Sequence, residues 1–374
     1  FPFEILPAVQ ALNIGGIGMQ NMKSKVTHHR IGLLLALACL SAIASCAFFS
    51  PAAPHKPVEF HAAPSPHGAD RFPNWPLLPA IDFDGLMIAE RERAVVQVRK
   101  TAGAGAGTTG AEAHTVTFPD LHGDLKFKVK ATPGNLDGIN NAPRKEMAAY
   151  LIQRLFLEPE DFVVPTTFAY CIDIELWRTE HGGKGSANVS GLNCELVVVA
   201  VWLKDVTLPD PLYDEQRFLT DPTYAYFLSN FNVFTYVVGH RDGREGNFLV
   251  AKDAARPQVF SIDNGSTFNP WGYNYFVPNW DVIRVAAVRR ETVDRLRKLS
   301  RDDLDFLLVV SQLEVGDDGV AHQVRPGPSL DEDAGALMQG RTIQFGLTRK
   351  EIDKVWGRIR DLTEQVDSGK LPVF

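Results

Sequence analysis

The chain has 374 residues, 45% hydrophobic and 22% charged, an ordinary globular composition with enough apolar material for one large domain or two moderate ones. Its formal net charge of −7 leaves no overall basic field, which argues against broad electrostatic attraction to nucleic acid. Nothing before Met19 or Met22 reads as a natural start, so residues 1–21 are set aside from the fold as upstream translation or a fragment edge. From Met22 onward, Lys23, Lys25 and Arg30 form a positive segment, and Ile31 to Ala44 is a 14-residue apolar run. That length is short for a bilayer span and right for the apolar stretch of a signal peptide.

The run ends in Ile43-Ala44-Ser45-Cys46, which resembles the tetrapeptide at which bacterial lipoproteins are cut and then acylated on the cysteine. The resemblance implies a signal over residues 22–45, export to the cell envelope, and membrane attachment through acylated Cys46. A plain secretory signal and a retained membrane anchor are the alternatives. Eight prolines between Ser50 and Ala80 make residues 46–80 an extended tether. Cys39 falls in the signal and Cys46 at the anchor, which leaves Cys171 and Cys194 on either side of the polar, Gly-rich stretch "EHGGKGSANVSG". In an exported domain this pair predicts a disulfide, with two buried thiols as the alternative. No CxxC or Cys/His spacing argues for zinc.

The folded part begins near Ile81. "RAVVQVRK", "HTVTF" and "LKFKVK" are rich in β-branched residues and separated by Gly-rich or Asp-Gly turns, so they predict three successive antiparallel strands. Between Pro143 and Phe156, Met147, Tyr150, Leu151 and Leu155 recur at helical spacing. "DFVVPTTFAYCIDIEL" and "CELVVVAVWL" predict two further strands, the second central because it is almost wholly apolar. Asp221-Pro222 is an N-cap with proline at the first helical position, opening a helix with Phe227, Phe231, Phe234 and Val238 along one face. Two more helices are expected, over "SRDDLDFLLVVSQL" with Ser300 and Asp303 in capping-box positions, and over "TRKEIDKVWGRIRDL" with Thr348 and Glu351 likewise. The pattern is α+β and two-lobed: an antiparallel-sheet lobe over residues 81–204 and a mainly helical lobe over 205–374.

Asp242 and Asn247 stand five apart in "GHRDGREGNFLV", between that aromatic helix and a strand, and "QVFSIDNG" follows a short turn later. Two strands joined by a turn bring Asp263 back beside Asp242 and Asn247. Three oxygen-bearing side chains then converge, as a hard divalent ion bound to phosphate requires. Here a specific resemblance enters. His240-Arg241-Asp242 with Asn247 matches the H-R-D-x-x-x-x-N catalytic loop of protein kinases, and Asp263-Asn264-Gly265 stands where their Asp-Phe-Gly would. The block resembles the atypical branch of the superfamily, the phosphatidylinositol 3-/4-kinases, type II phosphatidylinositol 4-kinases in particular, and the Golgi casein kinases. No Ala-Pro-Glu follows Asp263, so an ordinary activation segment is not expected.

The resemblance implies a two-lobed kinase-like fold, ATP, and magnesium or manganese, with transfer of phosphate to a hydroxyl-bearing acceptor: protein, lipid head group or sugar. Asp242 would act on the acceptor hydroxyl, with Asn247 and Asp263 on the metal and Arg244 toward the γ-phosphate. A strand lysine held by a helix glutamate is also implied. Lys130, in "VKATP", is chosen, Lys128 on the same strand face is the reserve, and Glu146 is the glutamate. Gly105, Gly107 and Gly110 spell GxGxxG where a phosphate-covering loop belongs, although a loose hairpin loop has the same look. The rival readings are a nucleotide-binding pseudokinase, AMP transfer to protein on the same fold, and an envelope lipoprotein whose aspartates bind calcium.

Overall fold

The computed structural model describes residues 97–103, 110–118, 123–138, 141–268 and 279–374. The signal, Cys46 and the tether lie outside the described residues, as do Gly105 and Gly107. The fold is α+β with three antiparallel sheets.

The first sheet starts as expected, with β1 (Gln97–Gly103), β2 (Glu112–Phe118) and β3 (Gly123–Ala131) paired antiparallel in succession. It is completed by β4 (Thr167–Asp173) and β5 (Cys194–Val201) in the order β1-β2-β3-β5-β4, so the apolar β5 is an interior strand. Alternation gives this sheet two different faces. Phe127, Val129, Phe168, Tyr170, Ile172, Val197 and Val199 point to one, where α2 (Ile174–Glu180) lays Leu176 and Trp177 over them. Lys126, Lys128 and Lys130 alternate with Phe127 and Val129 and so belong to the other face. Ala169, Cys171 and Leu196 line that other face too, packed in one core with Met147 and Ile152 of α1 (Pro143–Ile152). The helix read to Phe156 passes at Gln153 into a 3-10 turn, Gln153–Leu155.

Cys171 and Cys194 are disulfide-bonded, with Cα atoms 5.5 Å apart. The bond closes the excursion that carries α2. On a chain-entropy argument, closing a loop of this size contributes about 3 kcal/mol.

The second half is organised around α4 (Pro222–Val238), which follows α3 (Glu215–Thr220) and is buried from Tyr224 to its end. Asp221 caps it, accepting from the amides of Thr223 and Tyr224. So deep a helix must satisfy its polar side chains internally. Asn232 does so by accepting from the amides of Arg284 and Val285 and donating to the Val282 carbonyl, and Ser229 accepts from the Arg289 amide. These bonds fasten the chain ahead of α5 (Arg290–Arg297) to the helix. A small sheet, β6 (Val206–Thr207), β7 (Phe248–Ala251) and β8 (Val259–Ser261) in that order, joins a strand ahead of α3 to two that follow α4.

The helix expected over residues 300–313 is corrected. Ser300 and Asp303 do form reciprocal side-chain to backbone bonds, but only a 3-10 helix follows, Asp302–Leu308. From Ser311 the chain is strand. Its Ser311–Val315 burial alternates with period two, and the β-branched Val309-Val310 pair before it suits extended backbone. This is β9 of a four-stranded sheet absent from the sequence reading: β9, β10 (Ala321–Val324), β11 (Ala336–Gln339) and β12 (Thr342–Phe345), ordered β10-β9-β12-β11. A hairpin signal was present in Asp318-Gly319, where Gly319 has φ +80°. The last helix, α6 (Arg349–Asp367), carries the expected capping box of Thr348 and Glu351.

Glu351 does more than cap. Its two oxygens accept at 2.6 and 3.1 Å from the buried Arg144 of α1, which also reaches Asp137 at 2.7 Å. Burial would raise the Glu351 carboxyl, but the hydrogen bonds and charge of Arg144 outweigh it and hold the group below its ordinary range. A folded pKa below the unfolded one means that the unfolded chain takes up the extra proton as acid is added, so this stability is present at neutral pH and lost as pH falls through the lowered value. Glu351→Gln, which leaves Arg144 the charge of Asp137 and the Gly346 carbonyl, is expected to cost about 3 kcal/mol in urea unfolding at pH 7. The cost should shrink in acid, and an equal cost at every pH would remove the pair from the account.

Candidate active site

Gly239 ends α4 in the left-handed region at φ +63°, and a Cβ there would meet the Arg358 guanidinium at 3.1 Å. That turn drops His240 into the core. His240 Nε2 lies 3.1 Å from the Asp263 carbonyl, which can only accept, so Nε2 carries the hydrogen. Burial lowers the His240 pKa and keeps the ring neutral. Arg241 is braced as well: its amide donates to the Ser266 carbonyl, and its Nε donates to Asp281 at 2.8 Å. Arg358 of α6 reaches the same carboxylate at 3.3 Å. Both residues ahead of Asp242 are therefore fixed by the surrounding structure.

Asp242, its side chain 13% exposed, is held by a two-pronged contact from Arg244, with Nε at 2.8 Å and Nη2 at 2.6 Å. Asn247 Nδ2 donates to the Asp242 carbonyl at 2.8 Å, which leaves Oδ1 as the atom it offers to a metal. The β7–β8 hairpin then returns the chain. Phe248 pairs with Ser261, and the Ile262 amide donates to the Asn247 carbonyl at 3.0 Å. Asp263 follows immediately. The hairpin therefore closes as the sequence led us to expect.

Three further groups meet Asp263 and its neighbours. Lys130 Nζ is 3.5 Å from Glu146 Oε1 and 3.8 Å from Asp263 Oδ1, with the lysine side chain only 3% exposed. Glu146 Oε2 accepts from the Asn264 amide at 2.9 Å. Lys128 Nζ donates to the Ile262 carbonyl at 2.7 Å, so the two strand lysines divide their work between carboxylates and backbone. Burial opposes charge on each member. At Lys130 burial would lower the pKa, but Glu146 and Asp263 outweigh it and the net shift is upward. At Asp263 burial would raise the carboxyl, but Lys130 and Lys128 outweigh it and the net shift is downward. At Glu146 burial prevails and the carboxyl is raised.

Two connected groups result: Lys130, Lys128, Glu146 and Asp263, and Asp242, Arg244 and Asn247. They are joined through the Asn247–Ile262 and His240–Asp263 backbone contacts. A narrow cleft beside the lysines is walled by Val164, Val198, Ala200 and Ile262. Gly110 is exposed ahead of β2 with open space around its Cα. Comparison of the chain with protein-family models gives no match, and comparison with curated proteins gives none. The Asp281 brace escaped the sequence reading, because its partners Arg241 and Arg358 lie far from it along the chain. So did a grouping of Glu112, His114 and His181 elsewhere on the first sheet. Glu-x-His on one strand was the visible half of that signal.

His240→Leu fills the same space but leaves the Asp263 carbonyl without its donor. The variant is expected to lose about 1–3 kcal/mol in chemical denaturation. Parental stability would show that the imidazole does not hold this turn.

Proposed function

We propose that the chain is an ATP- and magnesium-dependent phosphotransferase of the atypical kinase-like type, exported and held to the envelope through Cys46. The observation that carries this reading is the contact of Lys130 with both Glu146 and Asp263, three residues from a strand, a helix and a post-hairpin turn, in the chain order that kinases use. The two-lobed kinase-like arrangement, divided near Lys204, belongs to the same proposal.

Lys130, steadied by Glu146, would hold the α and β phosphates. Asp263 and Asn247 Oδ1 are hard oxygen donors and suit magnesium. Bound there, the metal would draw negative charge from the phosphates. Asp242 accepts the proton of the acceptor hydroxyl as that oxygen bonds to the γ-phosphorus and the bridging oxygen departs with ADP. For this Arg244 must swing off Asp242, and the γ-phosphate is the anion that would draw it away. The fork of Arg244 over both Asp242 oxygens favours a second reading, a nucleotide-binding module without turnover. Transfer of AMP is distinguished from both by product mass.

The test is thermal unfolding of the whole chain with ATP, with and without magnesium. Nucleotide at a hundred times its Kd should stabilise by about 2.7 kcal/mol. Asp263→Asn is expected to abolish the magnesium-dependent part. Asp242→Asn should keep it and lower turnover by about 10²–10⁴-fold. Stabilisation indifferent to both magnesium and Asp263 would overturn the reading.

A further inference from the structure

We propose that Glu112, His114 and His181 form a binding site for a transition-metal ion of the zinc class, separate from the nucleotide site and on the opposite face of the first sheet. Glu112 and His114 are two apart on β2 and share a face, the one that carries Phe127 and Val129, since Glu112 pairs with Val129 and His114 with Phe127. His181 arrives from the C-terminal end of α2, which lies over that face. Nε2 of each histidine is 2.9 Å from the same oxygen, Oε2 of Glu112, and all three ligand atoms fall within 4.8 Å of one another.

The other nitrogen of His181 makes the grouping specific. Its Nδ1 is 2.8 Å from the Trp177 carbonyl, which can only accept, so Nδ1 bears a hydrogen and Nε2 is the nitrogen turned to Glu112, the one that would meet an ion replacing that contact. Metal-binding histidines are held in this way, with the far N–H given to a carbonyl. Ligand atoms at about 2.0–2.2 Å from a tetrahedral ion sit roughly 3.3 Å apart, so small movements of Glu112 would admit one. Two imidazoles and one carboxylate suit zinc, copper or nickel and do not suit magnesium or calcium, which prefer all-oxygen shells.

The surroundings hold the ligands in place. The indole of Trp177 stacks on His181 at 3.9 Å and lies nearly parallel to His114 at 5.8 Å. Gly182 and Gly183, both at positive φ, turn the chain away directly after His181, and a Cβ on Gly185 would press on Trp177 at 3.0 Å. The Cys171–Cys194 disulfide closes the ends of the segment that presents His181. His114 is buried while Glu112 and His181 reach the rim, so the ion would sit at the start of the interior strand β2 with one position left for water or an outside ligand. It would also tie β2 to the β4–β5 excursion, beneath the sheet that carries Lys130.

The experiment is titration of the chelator-treated full chain with zinc by calorimetry, and with cobalt(II) followed by its visible d–d absorption. One equivalent is expected to bind and to raise the unfolding temperature, with a cobalt spectrum of four-coordinate intensity. His114→Ala and His181→Ala should each weaken that equivalent at least 100-fold, and Trp177→Leu about 10-fold. Glu112→Gln and His181→Gln guard against loss of fold, with circular dichroism as the check. Zinc binding undiminished in a His114→Ala/His181→Ala double variant, or no stoichiometric binding in the parent, would make the cluster two histidines hydrogen-bonded to one carboxylate and overturn the proposal.

Discussion

An ammonium group 3% exposed cannot keep its charge in a protein interior unless carboxylates stand beside it, and Lys130 has two. That requirement organises much of the molecule. β3 supplies the lysine, α1 supplies Glu146 and the turn after β8 supplies Asp263, so the first sheet, the helix on its face and the hairpin of the second half must meet at one place. The carboxylates repel each other, and the lysine between them relieves this. Asp263 remains ionised while burial leaves the Glu146 carboxyl raised. A group of this kind is costly to build and is paid back in position: each member restricts where the others can sit.

The approach of the two halves is secured away from the site by charges buried in the same manner. Arg144 spans Asp137 and Glu351, fixing α1 against the start of α6. Arg241 and Arg358 share Asp281, whose carboxyl burial pushes up and which the two arginines bring below its ordinary range. Arg358 also donates to the Tyr236 carbonyl near the end of α4, so α6 reaches the turn that delivers His240. The same helix therefore braces the His240–Asp242 turn at one end and α1 at the other. Apolar burial supplies most of the driving force along α4, while the arginines select its orientation.

The first sheet serves different chemistry on its two faces. One bears lysines, α1 and the cleft, and the other bears an aromatic and aliphatic layer beneath α2, with the Glu112, His114 and His181 grouping at the start of β2. Strand alternation produces this division without any extra element, because Lys128 and Lys130 necessarily point away from Phe127 and Val129. The disulfide between Cys171 and Cys194 lies in the core on the α1 face, yet it closes the segment that forms α2 on the other.

Local chemistry made several elements legible from the residues alone. Asp221-Pro222 placed the start of α4, Thr348 and Glu351 placed that of α6, and alternating or continuous apolar runs placed β1 to β5, because caps and pleats are decided within a few residues. The hairpin between Asn247 and Asp263 was legible for the same reason, and with it half of the candidate site. The run from Ser300 was misread because its capping box is genuine and only the next residues, Val309 and Val310, favour extended backbone; the strand is then stabilised by pairing with β10 and β12, which no local window contains. Tertiary structure alone decided that β5 lies between β3 and β4, that Arg144 meets Glu351 across 207 positions, and that His181 comes to Glu112 across 69. Such contacts depend on burial and charge pairing between distant segments, and those free energies exist only once the chain has folded.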